Sequence, residues 1–291
     1  QGWVGITDKY WLTAIIPEKG KNFKAEFSYD KSFKSNYIVT DATTVNVNQT
    51  GSNISNLFIG AKEVSVIDGY AESKGFHKFD LAIDWGWFHF FTKPLFFIID
   101  YLFKWCGNFG IAIILLTAGV RLIFFPLANY SFASMAKMKA LQPEMQRLKD
   151  LYKEDKQKIQ MEMMNLYKRE KVNPISGCLP VMIQIPFFFA IYKMLFVTIE
   201  MRHAPFYGWI QDLSAADPTS IFNLFGLIPW DPPGFLIIGA WPIIMGVTMY
   251  IQQKLNPAPP DPIQAKIFMF FPFFLTILLA SFPSGLVIYW S

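Results

Sequence analysis

Apolar and polar residues alternate in short runs near the start of the chain: Trp11 to Ile16, Phe23 to Tyr29, Tyr37 to Val47 and Leu57 to Ile67. Clusters of Gly, Asn, Asp and Lys separate these runs. A period of two over such lengths predicts half-buried antiparallel strands. Residues 1–83 therefore read as an all-β region, a sandwich in preference to a barrel, forming the last part of a larger β-domain. Residues 84–106 (DWGWFHFFTKPLFFIIDYLFKWC) change character. They are intensely aromatic but carry Asp84, His89, Lys93, Asp100 and Lys104. Charges spread through a hydrocarbon span are expensive, whereas a helix with rings on one side and charges on the other suits the interface plane. The segment is read as an interfacial amphipathic helix that Pro94 starts or kinks, the alternative being a badly interrupted span.

Long apolar runs follow. Phe109 to Leu127 contains one charge, Arg121; Ser176 to Glu200, Phe235 to Gln253 and Ile267 to Ser281 come next, and a truncated run starts at Pro283. The first three approach the ~20 residues that a ~30 Å hydrocarbon core requires, and the fourth is short. Between the first two runs, Met138, Leu141, Met145, Leu148 and Tyr152 fall three and four apart, and Ile159, Met163 and Leu166 continue the pattern after a polar turn at Lys153 to Gln157. Residues 129–175 thus hold an antiparallel helical hairpin with a narrow apolar seam. It is either a solvated loop that happens to be helical or a docking arm for a partner.

Composition agrees with a membrane protein. The chain is 53% hydrophobic with a mean hydropathy of +0.28 and contains 30 Phe, 12 Met and 9 Trp. That is too apolar for an ordinary soluble domain. The net charge of +4 acquires meaning only loop by loop. Ala128 to Ile175 holds ten Lys and Arg and Lys254 to Lys266 holds two, whereas Met201 to Gly234 holds only Arg202 beside Asp212, Asp217 and Asp231. The positive-inside rule puts the first two loops in the cytoplasm and the third outside, together with residues 1–106. Cys106 and Cys178 then lie on opposite sides of the membrane and cannot pair. The chain opens at Gln1 and closes at Ser291 inside an apolar run, so both ends of a longer protein are expected to lie beyond it.

Chemistry in this sequence is sparse. His77, His89 and His203 are scattered without metal-ligand spacing, and no phosphate-binding loop, nucleophile elbow or zinc-protease motif occurs. No bond-making enzyme and no cofactor are implied. Arg121 is the exception. Twelve residues at 1.5 Å put it ~18 Å into the bilayer, past the midplane. A central arginine costs ~2.5–3.5 kcal/mol on insertion scales. It either snorkels to the cytoplasmic headgroups or faces a water-filled cavity open to that side. The last two runs contain no Asp or Glu to neutralise it. Thr117 lies one turn earlier on the same face, and Gln184 adds a polar group in the second run. Together they suggest a hydrophilic groove.

Six strings carry a family resemblance: GNFGIAIILLTAGVRLIFFPL (107–127), SMAKMKALQPEMQRLKDLY (134–152), NPISGCLPVMIQIPFFFAIYKML (173–195), APFYGWIQDLSAADP (204–218), MGVTMYIQQKLNP (245–257) and FPSGLVIYW (282–290). In order and spacing the chain resembles the YidC/Oxa/Alb membrane insertases, in their Gram-negative YidC form. GWVGITDKYWLTAIIP (2–17) looks like the end of that family's periplasmic β-domain. The resemblance implies a membrane α-helical bundle of five conserved spans, the last truncated here, with an interfacial amphipathic helix, a cytoplasmic helical hairpin and an N-terminal all-β periplasmic fragment. It divides the chain into 1–83, 84–106 and an insertase core 107–291. It implies insertion and folding of nascent membrane proteins through a groove open to the cytoplasm, alone or with the Sec translocon, in the bacterial inner membrane. The groove arginine corresponds to Arg121, which would attract acidic residues of a client. Thr117 matches a position paired with an aromatic of the last span, seen here as Trp290 beside Tyr289, and Ile185 and Pro186 match client-contacting positions. The hairpin matches an arm close to where ribosomes dock. No nucleic acid readout is implied. The stretch 220–241 is longer and richer in Pro and Trp than the family form, which suggests an extra interfacial or outer segment, and the basic C-terminal tail is absent. Two rival classes remain: a solute or lipid transporter, which would want paired ionisable groups, and a non-inserting assembly factor, which would not need Arg121.

Overall fold

In the computed structural model, which describes residues 2–152, 155–173, 179–255 and 262–291, the alternating run at Trp11 folds as a pleated strand. Strand β2 (Trp11–Pro17) buries Leu12, Ala14 and Ile16 and leaves Trp11 and Thr13 outside. It pairs with β1 (Val4–Thr7), Val4 opposite Ile15. Strands β3 (Phe23–Asp30) and β4 (Ser32–Val39) form a separate two-stranded sheet. Strand β5 (Ser55–Ala61) takes the other edge of β2, Trp11 opposite Ala61.

Two expected strands move. The run at Tyr37 to Val47 yields a strand that starts at Ser32 and ends at Val39. Lys31, at φ 59°, turns the chain back at once, so Asp30 pairs with Ser32 and the polar Ser32–Asn36 segment joins the ladder. The chain leaves that sheet at Asp41, whose carboxylate accepts the backbone N–H of Asn22 at 2.8 Å. The run at Leu57 to Ile67 is strand only to Ala61; helix α1 (Val64–Ser73) then begins and buries Val64 and Ile67, three apart on one face.

These elements belong to one of two compact units, made of Gln1–Lys93 with Phe196–Arg202. Its core centres on Phe79, fully buried, which receives Trp3, Phe58 and Phe76 edge-on at 5.7, 5.4 and 5.7 Å. Lys62 is also buried; its ammonium donates to Thr7 Oγ1 at 2.9 Å and Asp8 O at 2.7 Å, and burial draws its pKa below the usual lysine range. Within the same unit Glu200 Oε1 accepts the backbone N–H of Val64 at 2.7 Å. The Lys9 ammonium stands 4.1 Å from the centre of the Phe196 ring, and the Arg202 guanidinium 5.1 Å from that of Tyr10.

The second unit, Pro94–Leu195 with His203–Ser291, is helical. Helix α2 (His89–Cys106) leads into it, with Pro94 inside rather than at its start, and Phe103 stacks on Phe109 at 3.8 Å. Helix α3 (Phe109–Ile123) is capped by Asn108, whose side-chain oxygen accepts the N–H groups of Gly110 and Ile111. The expected continuous span from Phe109 to Leu127 is broken. Pro126 has no N–H to bond back into the preceding turn, so the helix stops at Ile123, and α4 (Phe125–Ala140) starts afresh with that proline in its first turn, bent by 62°. Helices α5 (Gln142–Leu151) and α6 (Lys156–Arg169) close on a small core of Met145, Leu166 and Tyr167, and Arg169 clasps Glu144 at 2.6 Å. Lys153 and Glu154 of the expected turn lie outside the described residues.

Helix α7 (Leu179–Val197) carries Pro186 inside it; Ser176 and Cys178, placed in this run by the sequence, lie outside the described residues. Helix α8 (Ala240–Leu255) starts five residues later than expected, because Pro232 and Pro233 precede a 3-10 turn at Gly234–Leu236. Helix α9 (Pro262–Leu279) begins earlier than expected and packs on α8 where Gly246 lies against Thr276, too close for a Cβ. Helix α10 (Ser284–Trp290) buries Leu286, Val287, Ile288 and Tyr289. Among the described residues no single helix is long and apolar enough to cross a membrane, and the bent α3–α4 pair meets that length and composition jointly.

Candidate functional site

Arg121 occupies the last turn of α3 and is exposed, one turn beyond the half-buried Thr117. The Thr117 hydroxyl donates to Ile113 O at 2.7 Å, so its hydrogen is spent within its own helix and its oxygen stays available as an acceptor. Among the described residues no carboxylate lies within ion-pair distance of Arg121. Gln184, half-buried on α7, donates from Nε2 to the hydroxyl oxygen of Tyr289 on α10. Tyr289 is 3% exposed on α10, which packs against α3, the helix that carries Arg121. Three helices far apart in sequence therefore carry an arginine, an amide and a phenol into a strongly apolar helical body.

The remaining site residues of the sequence reading sit differently. Trp290 turns toward the core: its ring meets Phe188 at 5.1 Å and 89° and joins the cluster of Met245, Leu279 and Val287. Ile185 is exposed and Pro186 half-buried on α7.

One end of this helical unit is closed by the segment that follows Arg202. Leu213 returns its N–H to Ala204 O and Phe206 its N–H to Ile210 O, both at 2.9 Å. The segment then bonds the helix starts around it. Asn108 Nδ2 donates to Pro205 O at 3.3 Å, and Phe206 fills the space a Cβ on Gly110 would need. Ser284 N donates to Ala215 O at 2.7 Å and Gly285 N to Leu213 O at 3.0 Å. Asp217 accepts the N–H of Trp241 in the first turn of α8. Leu213 and Ile210 are fully buried beneath this mesh. Sequence reasoning counted Asp217 as loop charge and missed its bonding role; the signal was the Asp-x-Thr turn at 217–219, which seats a carboxylate on its own backbone.

The profile of the 60Kd inner membrane protein family matches residues 101–291, and that of the YidC periplasmic domain matches residues 1–98. A protein of Pelagibacter ubique (strain HTCC1062) named membrane protein insertase YidC is 66% identical over 290 residues, all of this chain and 52% of its own length. One of the same name from Nitrobacter hamburgensis is 55% identical over all of this chain and 51% of its own length. The chain thus spans about half the length of the curated relatives it matches. A crystal structure described as an active YidC insertase with its first transmembrane domain resolved is similar in fold, with a TM-score of 0.56 and 21% identity over 99% of this chain and 60% of that one.

Proposed function

Because the chain belongs to the 60Kd inner membrane protein family, we propose that it works as a membrane protein insertase and chaperone, passing nascent membrane proteins through a polar groove open to the cytoplasm. The observation that supports this reading is the hydrogen bond from Gln184 on α7 to Tyr289 on α10, a helix that packs against the Arg121-bearing α3. In this reading five segments span the bilayer: bent α3–α4, α7, α8, α9 and the start of α10. The basic α5–α6 hairpin lies in the cytoplasm, and residues 1–106 with the loop after Arg202 lie in the periplasm. Residues 1–83, 84–106 and 107–291 then serve as periplasmic β-domain, interfacial helix and insertase core.

The groove acts by lowering a solvation barrier. An acidic outer segment of a client meets the exposed Arg121 guanidinium instead of hydrocarbon, which offsets part of the several kcal/mol that a bare charge costs there. Thr117 and the exposed Ile185 line its path, while Pro186 and Trp290 shape the walls. The apolar remainder of the client then leaves for lipid, where burial of its surface drives it. The chemistry needs no cofactor and makes no covalent bond. The protein works alone or with the Sec translocon, and the hairpin lies close to where ribosomes dock.

The test is insertion of a single-span client with an acidic outer tail into vesicles carrying the full-length protein. Arg121→Ala and Arg121→Glu are expected to abolish insertion and Arg121→Lys to preserve most of it. Equal insertion by Arg121→Ala, for acidic and neutral tails alike, would leave Arg121 as a snorkelling anchor and favour the non-inserting assembly factor.

A further inference from the structure

The loop between Ser220 and Gly239 carries an apolar tip that the insertase reading does not use. Phe222, Leu224, Phe225, Leu227, Ile228 and Trp230 are all exposed, Leu227 at 83%. The tip is built, not frayed. Its base is tied by Ile221 N to Ile238 O at 3.1 Å and by the Ser220 hydroxyl to Leu236 O at 2.9 Å. Its turn is closed by Asn223, whose side-chain oxygen accepts Gly226 N at 3.0 Å and whose carbonyl accepts Ile228 N at 3.0 Å. Leu224 and Phe225 both hold left-handed backbone, φ 49° and 58°, a region that large apolar residues rarely enter. Folding thus holds two bulky side chains outward in a conformation they disfavour, a poor arrangement in water.

Its neighbours indicate what covers it. The base bonds directly to the first turn of α8, through Thr219 Oγ1 to Ala240 N and Asp217 to Trp241 N. From there Ile244, Val247 and Ile251 run down α8 as an exposed apolar stripe at helical spacing, which in an inner-membrane protein faces acyl chains. From His203 to Gln253 the sequence has no Lys or Arg, so attraction to anionic headgroups cannot hold the loop. Apolar burial can, and Trp230 has the amphipathic ring that favours the headgroup boundary. We propose that Phe222–Trp230 is an interfacial anchor that dips into the outer leaflet beside α8. This rests on the insertase reading for the sidedness of the loop.

The test uses the full-length protein, its cysteines replaced by serine, in phosphatidylethanolamine–phosphatidylglycerol vesicles. A fluorescent NBD probe is placed at Leu227→Cys, and a control probe at Gln211→Cys, also exposed. Lipids bearing a nitroxide just below the headgroup are expected to quench the Leu227 probe several-fold more than aqueous iodide does, with the reverse order at Gln211. Iodide quenching at Leu227 without nitroxide quenching would overturn the proposal by placing the tip in water. Quenching by neither would overturn it by placing the tip under protein. Client insertion is read in the same vesicles with and without Arg121→Glu. Lost nitroxide quenching with Arg121-dependent insertion retained defeats the anchor alone, whereas retained quenching with Arg121-independent insertion defeats the insertase reading alone.

Discussion

Asp217 shows how one residue can fix a helix start from a distance. It is 2% exposed, and its carboxylate takes Trp209 Nε1 at 3.1 Å, Thr219 N at 3.0 Å and Thr219 Oγ1 at 2.6 Å on one oxygen, with Trp241 N at 3.0 Å on the other. It thus supplies α8 with an N-terminal acceptor from 24 positions upstream. Asp217→Ala leaves those donors without their partner and is expected to cost about 1–3 kcal/mol, with Asp217→Asn in between. Gly239→Ala is expected to act in the same direction, because its Cβ would collide with the carboxylate. Thermal unfolding of the full-length protein in detergent measures the loss, and hydrogen exchange at Ala240–Ile243 locates it; an Asp217→Ala protein with parental protection there would refute the cap. Arg121, Thr117 and Gln184 stood out in the sequence because each is a polar residue inside an apolar run. Asp217 and Glu200 did not, since a carboxylate in a loop or at the end of an apolar run is ordinary, and their partners are 24 and 136 positions away.

Among the elements, the α5–α6 hairpin closes on a small core of its own. Met145 is 3% exposed, packs with Leu166 and Tyr167, and has the Tyr167 hydroxyl 3.9 Å from its sulfur. Met145→Ala is expected to remove about 2–5 kcal/mol, enough to open so small a core locally while α8 and α10 stay protected. Exchange across residues 142–152 and 157–170 would then rise selectively; a uniform rise would mean the hairpin does not unfold on its own. Burial also pushes the Tyr167 phenol above its ordinary value of 10.0. The folded hairpin therefore holds that proton more tightly than the unfolded one. The resulting stabilisation is complete below pH 10.0 and fades as pH rises through the raised folded value, a dependence that Tyr167→Phe should abolish. Periodicity found the seam of this hairpin because three-and-four spacing survives in any amphipathic helix. The run as read ended at Leu166 and left out Tyr167, although Tyr167 lies four residues after Met163 on the same face. The break at Phe124 was missed for a related reason: hydropathy runs unchanged through Pro126, although the hydrogen-bond ladder cannot.

At the scale of the molecule, the first compact unit is assembled from two stretches of chain, Gln1–Lys93 and Phe196–Arg202. The second stretch begins inside α7 and ends after one 3-10 turn. Nothing in the sequence separates it from the apolar run before it. Contacts that tie it to the β-domain include Glu200 on the N–H of Val64, Phe196 under Lys9 and Arg202 over Tyr10, side chains of unlike chemistry. Glu200 matters most, because the first N–H groups of α1 have no partner inside the helix, and Glu63 at its start provides no side-chain cap. Glu200→Ala is expected to cost about 1–3 kcal/mol through that orphaned donor. Lys9→Ala should cost about 0.5–1 kcal/mol as a partly exposed cation–π contact. Both act on one short segment, so the double variant should depart from additivity, losing less than the sum if either change alone already frees residues 196–202. Hydrogen exchange of Val64–Ile67 in the full-length protein reads the effect directly, while client insertion read alongside tells whether the groove depends on residues 196–202. Unchanged exchange at Val64 in Glu200→Ala would mean that α1 is held by its buried Val64 and Ile67 alone. Faster exchange with normal insertion would make residues 196–202 a clasp for the β-domain that the groove does not need.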